Sequence, residues 1–224
     1  MVLILSFDVG IVNLAYCIFN TEILKIVKWE IIKLENIKDH GVLHVNLITS
    51  LDSNFKDIIN NLDVVLIEKQ PSFNPKMRII ASCLQSYFFI RGVVDSVNKI
   101  KTIKFFSPKH KLKCFNGTDL VLEGNGNITG RSKYSQTKKL GIEICRHKLK
   151  EYTESNEVID FFENSKKKDD LADSYLQAIT YSIFEKLIKG TGNTRDKAHG
   201  ETLPLGCSHT PRLSSRPMRP TCSL

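Results

Sequence analysis

The sequence lacks the features that mark zinc-binding, membrane-spanning and secreted proteins. Its six cysteines are scattered and form no CxxC or Cys/His pattern, so we expect no zinc site and mostly reduced thiols. It has no run of about 18 apolar residues, so we expect no membrane span. The apolar start, MVLILSFDVG, has no basic leader and no small-residue cleavage site, so we expect no signal or transit peptide and a cytoplasmic or nuclear location.

Positive charge is what the sequence has in excess. Its 32 Lys and Arg against 24 Asp and Glu give a formal net charge of +8 over 224 residues, and such a surplus favours a polyanionic partner such as nucleic acid. Residues 189–224 hold six basic and two acidic residues, and their Pro, Gly, Ser and Thr follow no period. We therefore predict a basic, disordered tail there and one folded domain over residues 1–188.

Hydrophobic periodicity predicts an α/β domain in residues 1–188. The predicted strands are 2–8, 13–20, 23–32, 63–68 and 102–108. The predicted helices are 39–62, with a weak point at residues 52–54, and 76–97, 132–152 and 169–187. This order favours a mixed five-stranded sheet with helices on both faces, and therefore three layers. The apolar face of 76–97 is wider than one sheet contact needs, which suggests a subunit interface.

Two acidic residues stand at the ends of predicted strands. Asp8 is followed closely by Gly10, and a glycine lets the backbone turn and a ligand come near; an ordinary turn residue is the alternative. Glu68 ends the most apolar strand, where an ionised carboxylate costs free energy unless a cation or hydrogen-bond donors satisfy it. Pairing of Glu68 with Lys69 or Arg78 is the alternative there.

A second group of acids opens the last predicted helix, in the segment SKKKDDLADSYLQA, residues 165–178. Asp170 and Asp173 are three positions apart, which places them on one helix face about 5 to 6 Å apart at Cβ. Capping explains the first acids, because Asp169 suits the N-cap and acids in the first turn complement the helix dipole. Capping explains Asp173 less well, since this residue lies at the edge of the apolar stripe.

A metal site is one explanation that covers all of these acids. They are Asp8, Glu68, Asp170 and Asp173. Their carboxylates supply the oxygen ligands that Mg²⁺ requires, and mutual repulsion among them is tolerable when metal is bound. Two such ions, about 3.5 to 4 Å apart, generate a hydroxide and stabilise the attacking and leaving oxygens in phosphodiester hydrolysis.

Three motifs resemble those of a known family. FDVGIVNLAYC, LIEKQP and KKDDLADSYLQA, in this order, are similar to the motifs of the RuvC-type Holliday junction resolvases of the ribonuclease H-like superfamily. The likeness is greatest to the poxvirus and related large-DNA-virus resolvases and extends to the yeast mitochondrial ones. It spans residues 3 to about 187 and implies a ribonuclease H-like three-layer fold over the domain at 1–188.

The resemblance also implies an activity, a cofactor and a set of site residues. Resolvases of this family are homodimers that bind four-way DNA junctions and make symmetric, Mg²⁺-dependent nicks across them, with two ions per active site, Mn²⁺ as an alternative ion and no small-molecule cofactor. A lysine of the family approaches the scissile phosphate, and Lys138 or Lys139 matches it. Carried over to this chain, the catalytic metal ligands are Asp8, Glu68, Asp170 and Asp173.

Further residues are candidates for contact with DNA. Basic side chains that bind phosphates supply sequence-independent affinity, and a solvated surface position is the alternative for each of them. Phe73, five residues after Glu68, is the candidate for stacking on an unpaired base at the junction centre, with core packing as its alternative. The basic candidates flank a predicted exposed loop at 115–131 and are Lys109, Lys111, Lys113, Arg131 and Lys133.

Two other functions stay open at this point. A ribonuclease H-like nuclease that acts on RNA:DNA hybrids would use the same acids, because one fold hosts several activities. A non-catalytic, basic DNA-binding protein would leave the acids as caps and turns. The wide apolar face of 76–97, which suits a dimer, favours the resolvase over the hybrid nuclease.

Overall fold

The structure is a computed structural model that describes residues 2–35, 39–97, 100–115 and 130–187. The side chains of residues 40 and 131–134 are outside this description. All described residues belong to one compact unit. Most of the predicted loop at 115–131 and the predicted tail at 189–224 lie outside the described residues.

Five strands form one mixed sheet. They are β1 Leu3–Val9, β2 Asn13–Asn20, β3 Lys25–Lys33, β4 Val64–Glu68 and β5 Thr102–Phe106. Their order across the sheet is β3-β2-β1-β4-β5. The first three strands pair antiparallel, whereas β1 with β4 and β4 with β5 pair parallel. The continuous apolar run of β4 fits its internal position, where both faces of the strand are covered.

Helices cover both faces of the sheet, which confirms the predicted three layers. They are α1 His40–Phe55, α2 Pro75–Phe89, α3 Gly130–Glu151, α4 Asn156–Asn164 and α5 Lys168–Phe184. One hydrophobic cluster lies between the sheet and α1 with α2, and a second lies between the opposite face and α3, α4 and α5. A π-helical turn, Ile90–Val94, extends α2, and a 3-10 helix, Pro108–Cys114, follows β5.

The pleat of the central strands aims the predicted acids at α5. Successive side chains of a strand point to opposite faces. In β1, Phe7 packs in the cluster beneath α1 and α2 and Ile4 packs in the cluster beneath α5, so Asp8 faces α5. In β4, Leu66 lies in the α5 cluster, which puts Glu68 on that same side.

Two helices differ from the sequence prediction. α1 continues through residues 52–54, where Ser53 Oγ and Asn54 Nδ2 donate to carbonyl groups one turn earlier, but it ends at Phe55 and not at the predicted residue 62. The prediction also omits α4, a helix of only nine residues whose N-cap, Ser155, accepts a hydrogen bond from the backbone of Val158. Short polar side chains bond to the backbone inside a helix as well as in turns, so a run of them does not by itself mark a break.

α2 and its extension, Pro75–Val94, are long and apolar enough to cross a membrane by length and composition, with a mean hydropathy of 1.2. The inner side chains Ile80, Leu84 and Phe88 are, however, buried against the sheet. We therefore interpret α2 as a core helix, a type that meets the same criteria. The absence of a membrane span stays a prediction.

Candidate active site

The carboxyl ends of β1 and β4 bring two acids side by side. These strands are parallel neighbours with Phe7 opposite Ile67, so the next residues, Asp8 and Glu68, lie side by side near the carboxyl ends of the two strands. Their side chains are only 13% and 15% exposed. Two carboxylates at this depth need a cation or hydrogen-bond donors nearby.

α5 adds two acids from above the sheet. Trp29 Nε1, in β3, donates to Leu171 O at 3.1 Å and to Ser174 Oγ at 3.2 Å, which holds the first turns of α5 against the sheet. Asp170 and Asp173 lie in these turns. All four predicted acids line one cavity of about 470 Å³, so the structure brings together every residue that the sequence nominates as a metal ligand.

A buried lysine lies among three of these carboxylates. Lys111 Nζ is 2.8 Å from Asp8 Oδ1, 3.1 Å from Glu68 Oε1 and 3.1 Å from Asp173 Oδ2, and the lysine side chain is 4% exposed. The 3-10 helix Pro108–Cys114 carries it there. Lys111 is therefore buried among acids, whereas the sequence predicted a surface contact with phosphate. The sequence could not indicate this position, because no spacing relates this lysine to the acids.

Burial and mutual repulsion raise the pKa values of the cavity acids. Burial, followed by the negative charge of Asp8, raises the pKa of Glu68 to about 7 despite the ammonium of Lys111. Burial, followed by the charges of neighbouring aspartates, raises the pKa of Asp170 to about 6. Burial also raises the pKa of Asp173, against the lowering effect of Lys111. These carboxyl groups therefore keep their protons to higher pH than separate, exposed carboxyl groups do.

Lys111 carries one positive charge into this cavity. Burial lowers the pKa of Lys111, but the carboxylates of Asp8, Asp173 and Glu68 outweigh burial and bring that pKa above its ordinary value. The ammonium therefore stays protonated at neutral pH. Lys109 and Lys138 also line the cavity, so its walls hold three lysines beside the four carboxyl groups.

Glu68 does not pair with Lys69 or Arg78, which was the alternative to a metal site. Besides Lys111, Glu68 accepts a hydrogen bond from Gln70 Nε2 at 3.1 Å through its Oε2. Neither Lys69 nor Arg78 forms an ion pair with it. Glu68 therefore belongs to the acid cavity and not to a surface pair.

Gly10 keeps the turn after β1 narrow. A Cβ built on Gly10 would lie 2.3 Å from Asn13 O, which no side chain tolerates. Gly10 also lines the acid cavity. The backbone turn expected after Asp8 is thus present in the structure.

The two lysines nominated on α3 lie in different places. Lys138 lines the cavity and its ammonium pairs with Asp169, whereas Lys139 is exposed and is not among the lining residues. The prediction that Asp169 caps α5 is wrong. The helix begins at Lys168, with Lys167 as its N-cap, and has no side-chain cap, and Asp169 pairs with Lys138 instead. Although burial opposes it, the Lys138 ammonium brings the pKa of Asp169 below its ordinary value.

The remaining candidates for DNA contact belong to three parts of the chain, which are the loop after β4, the 3-10 helix and the start of α3. Phe73 is 86% exposed on the loop between β4 and α2, which argues against core packing. Lys109 lines the cavity, and Lys113 is exposed on the same 3-10 helix. Arg131 and Lys133 belong to the first turn of α3, but their side chains lie outside the described ones.

Two buried polar side chains of α5 bond to the elements that carry site residues. Gln177 Nε2 donates to Ser6 Oγ at 2.9 Å and to the next carbonyl of β1 at 3.2 Å. Thr180 Oγ1 donates to Lys111 O at 3.0 Å. Gln177 and Thr180 are both fully buried, so these bonds help to set α5 relative to Asp8. Sequence reasoning missed both, because a polar residue in an apolar stripe does not indicate its partner.

The cavity acids fit a hard divalent cation by their chemistry. They offer only oxygen atoms, the ligands that Mg²⁺ prefers, and three of the four contact the ammonium of Lys111. In their present spacing, no three or more His, Cys, Asp or Glu side chains within the described ranges surround a common metal position. Since Lys111 Nζ lies between the carboxylates, metal coordination there requires this ammonium to move aside.

The fold and the site together define a ribonuclease H-like α/β domain with an acid-lined cavity at the carboxyl ends of two parallel strands. The family model described as poxvirus A22 protein matches residues 2–185, and the chain belongs to this family. A Holliday junction resolvase of fowlpox virus (strain NVSL) is 28% identical over 200 residues, which cover 87% of this chain and 99% of that protein.

A second relative is much longer than this chain. The uncharacterized protein L451 of Acanthamoeba polyphaga mimivirus is 40% identical over 147 residues, which cover 63% of this chain and 34% of that protein. The chain therefore matches about a third of the length of this relative.

Solved structures confirm the predicted fold. The fowlpox virus resolvase, in a complex with Holliday junction DNA, matches with a TM-score of 0.53 and 24% identity over 84% of this chain and 99% of that one. RuvC of Thermus thermophilus matches with a TM-score of 0.50 and 14% identity over 83% of this chain and 96% of that one.

Proposed function

We propose that this protein is a Holliday junction resolvase. It would act as a structure-selective endonuclease that makes paired, symmetric nicks in four-way DNA junctions, in recombination, repair and the resolution of replicated viral genomes. The observation that carries the proposal is the meeting of Asp8, Glu68 and Asp173 around one buried lysine at the sheet edge. The relation to the fowlpox virus resolvase over 99% of that protein's length supports it.

Two Mg²⁺ ions, with Mn²⁺ as an alternative, are the cofactor we propose for this site. Their ligands would be the carboxylates of Asp8, Glu68, Asp170 and Asp173, which share one cavity. When bound, such ions lower the pKa of water and neutralise charge on the phosphate oxygens. The role of the protein's own residues is to hold the four carboxylates in fixed positions at the ends of two strands and at the start of a helix.

Lysines of the same cavity are suited to hold the scissile phosphate. Lys138 lies at the cavity wall beside Asp169, where a positive charge orients a phosphodiester and stabilises the negative charge that develops in the transition state. Lys111, once separated from the carboxylates, would supply a second positive charge. Lys139 lies outside the cavity lining, so the role proposed for one of the two α3 lysines goes to Lys138.

Residues around the cavity are suited to the rest of the junction. The exposed ring of Phe73 would stack on an unpaired base at the junction centre, an interaction worth about 1 to 3 kcal/mol per base. The phosphates of the arms would be bound by Lys109, Lys113, Arg131 and Lys133. These contacts carry no base specificity of their own.

A homodimer is the assembly we propose. The outer side of α2 and of its extension exposes Ile79, Phe89, Ile90 and Val94, the last of which is 75% exposed. Such a run of apolar side chains on one helix suits a two-fold contact with the same helix of a second copy. Two-fold symmetry would place two active sites on opposite strands of a four-way junction, which accounts for paired nicks.

One experiment separates this function from its rivals. The protein is incubated with a labelled four-way junction, a linear duplex and an RNA:DNA hybrid, with Mg²⁺ or with EDTA, beside Asp8→Asn and Asp173→Asn. We expect symmetric nicks in the junction only, dependent on the metal and absent in both variants. A preference for the hybrid would indicate the other type of nuclease, and junction binding without cleavage would indicate a non-catalytic binding protein.

A further inference from the structure

A second cavity adjoins the acid cavity on the other side of the loop that follows β4. Its volume is about 600 Å³, and its walls are that loop, the first half of α2 and the edge strand β5. Gln70 and Pro71 line both cavities. A bound chain can therefore pass from one cavity to the other across this shared rim.

The second cavity is positively charged, in contrast to the acid cavity. Lys69 and Arg78 line it, and none of its lining residues is acidic. Both side chains are exposed, and within the described part of the chain neither has an ion-pair partner. Unpaired cations in a concave surface attract phosphate groups.

The cavity also offers surfaces for a base. Phe105 in β5 lines it and is 40% exposed, which presents an aromatic ring of the kind on which bases stack. Ser82 and Gln85, on α2, add a hydroxyl and an amide. A volume of about 600 Å³ lies within the range of about 300 to 1,000 Å³ that is usual for small-molecule sites.

The backbone fixes this cavity relative to the catalytic acids. Lys69 directly follows Glu68, and Lys69 N donates to Phe106 O at 2.8 Å, which continues the pairing of β4 with β5 by one residue. Gln70, at the rim, donates to Glu68 Oε2 at 3.1 Å. The backbone of Lys69 is therefore held directly beside the acid cavity.

We propose that the second cavity binds one unpaired nucleotide of the cleaved strand, with its phosphate on Lys69 and Arg78 and its base against Phe105. This inference rests on the proposed function and deepens it. A base reaches the cavity only after it leaves the duplex stack, and this is easier where strands exchange than within a continuous helix. The cavity thus contributes selectivity for junctions.

The salt dependence of junction binding tests the phosphate contacts. Binding of a fluorescent four-way junction is measured by anisotropy in EDTA from 50 to 200 mM KCl for wild type, Lys69→Ala and Arg78→Ala. Lys56→Ala is the matched control, since Lys56 is exposed at the end of α1, near the start of β4 and away from Glu68. Thermal melts of all variants check that they are folded.

We expect each of Lys69→Ala and Arg78→Ala to lose one phosphate contact. The slope of log K against log [KCl] becomes shallower by about 0.7 to 0.9 per contact, so the ratio of variant to wild-type Kd shrinks about threefold between 50 and 200 mM KCl. Phe105→Ala should weaken junction binding about tenfold with an unchanged slope, because stacking releases no counterions. Lys56→Ala should keep the wild-type slope.

Two results would overturn the inference. The first is that Lys69→Ala and Arg78→Ala follow Lys56→Ala while wild type still binds and cuts junctions, which leaves the proposed function intact. The second is that these variants and Phe105→Ala weaken binding to a linear duplex as much as to the junction, which would indicate a general phosphate contact. Failure of wild type to bind or cut any junction would overturn the proposed function together with the inference.

Discussion

The charge of a single residue, Lys111, decides how the acid cavity behaves without metal. Its ammonium contacts Asp8, Glu68 and Asp173, and its side chain is 4% exposed. Removal of one partner from a buried ion pair costs about 3 to 5 kcal/mol, because the remaining charges stay desolvated. Lys111 therefore stabilises the metal-free fold, and under the proposed function it would compete with a metal ion for the same carboxylates.

Replacement of Lys111 by methionine tests this dual role. In EDTA, we expect Lys111→Met to lower the free energy of unfolding by about 3 kcal/mol. Mg²⁺ should stabilise the variant more than wild type, since the metal then supplies the missing positive charge. Urea unfolding with and without Mg²⁺ measures both effects. Lys113→Met, at an exposed position of the same 3-10 helix, is the control, and equal stability of the two variants would contradict the role given to Lys111.

The acid cavity also predicts how stability depends on pH. Burial raises the pKa of Glu68 from 4.5 to about 7 and that of Asp170 to about 6. When the folded pKa of a carboxyl group is raised, its stabilising contribution is complete below the unfolded pKa and is lost as the pH rises through the folded value. In EDTA, we expect the free energy of unfolding to fall by on the order of 1 to 3 kcal/mol between pH 5 and pH 8.

Urea unfolding at several pH values, with Glu68→Gln and the exposed Glu35→Gln side by side, measures this dependence. Glu68→Gln should flatten the decrease, and Glu35→Gln should leave it unchanged. Mg²⁺ should act in the opposite direction, with an apparent affinity that rises from pH 5 to pH 8, because protons and metal compete for the same oxygens. If the free energy of unfolding still fell to the same extent in Glu68→Gln, groups other than Glu68 would be responsible for the decrease.

The acids of the cavity are predictable from sequence, and their lysine partners are not. Asp8 and Glu68 stand at the ends of apolar strands, a local pattern that places both at one sheet edge. Lys111 reaches them through a 3-10 helix that the strand and loop signals do not indicate. The pairing of Asp169 with Lys138 was also not predictable. Because α5 begins at Lys168, Asp169 lies in the first turn of the helix, where Lys138 can pair with it.

Among the helices and strands, α5 contributes most to the position of the site residues. It carries Asp170 and Asp173, and one turn further on Gln177 bonds to β1, the strand that carries Asp8. Its predicted span, 169–187, is close to the observed Lys168–Phe184, since apolar spacing marks a long helix well. The contacts of its buried polar residues depend on which strand lies beneath them, and a single sequence does not contain that information.

Gln177→Met tests whether α5 positions the acids. The change keeps the volume and removes both hydrogen bonds to β1, so we expect the apparent affinity for Mn²⁺ to fall about tenfold, a size usual for groups that orient metal ligands. Electron paramagnetic resonance of unbound Mn²⁺ measures it. Ser182→Ala is the matched control, because within the described residues its buried hydroxyl donates to Ala178 O in α5 and to no other element. Equal Mn²⁺ affinity in the two variants would reduce Gln177 to a purely structural residue.

For the whole molecule, the outer side of α2 is the surface that the proposed homodimer would use. Its inner side is buried against the sheet, yet Phe89 is 45% and Ile90 is 52% exposed at its end. The sequence already showed more apolar residues here than one sheet contact needs. What it could not show is which of them the sheet leaves uncovered, because this depends on the rotation of the helix over the strands.

Dimerisation through this side should determine the product formed from a cruciform plasmid. A dimer nicks both strands in one binding event and gives linear DNA, whereas a monomer makes one nick, which relaxes the plasmid and abolishes the cruciform. We expect Phe89→Glu and Ile90→Glu to sediment as monomers and to give nicked circles. Ile23→Glu, at a position 60% exposed in the turn between β2 and β3, should stay dimeric and give linear product. Linear product from monomeric variants would show that the two nicks do not require this contact.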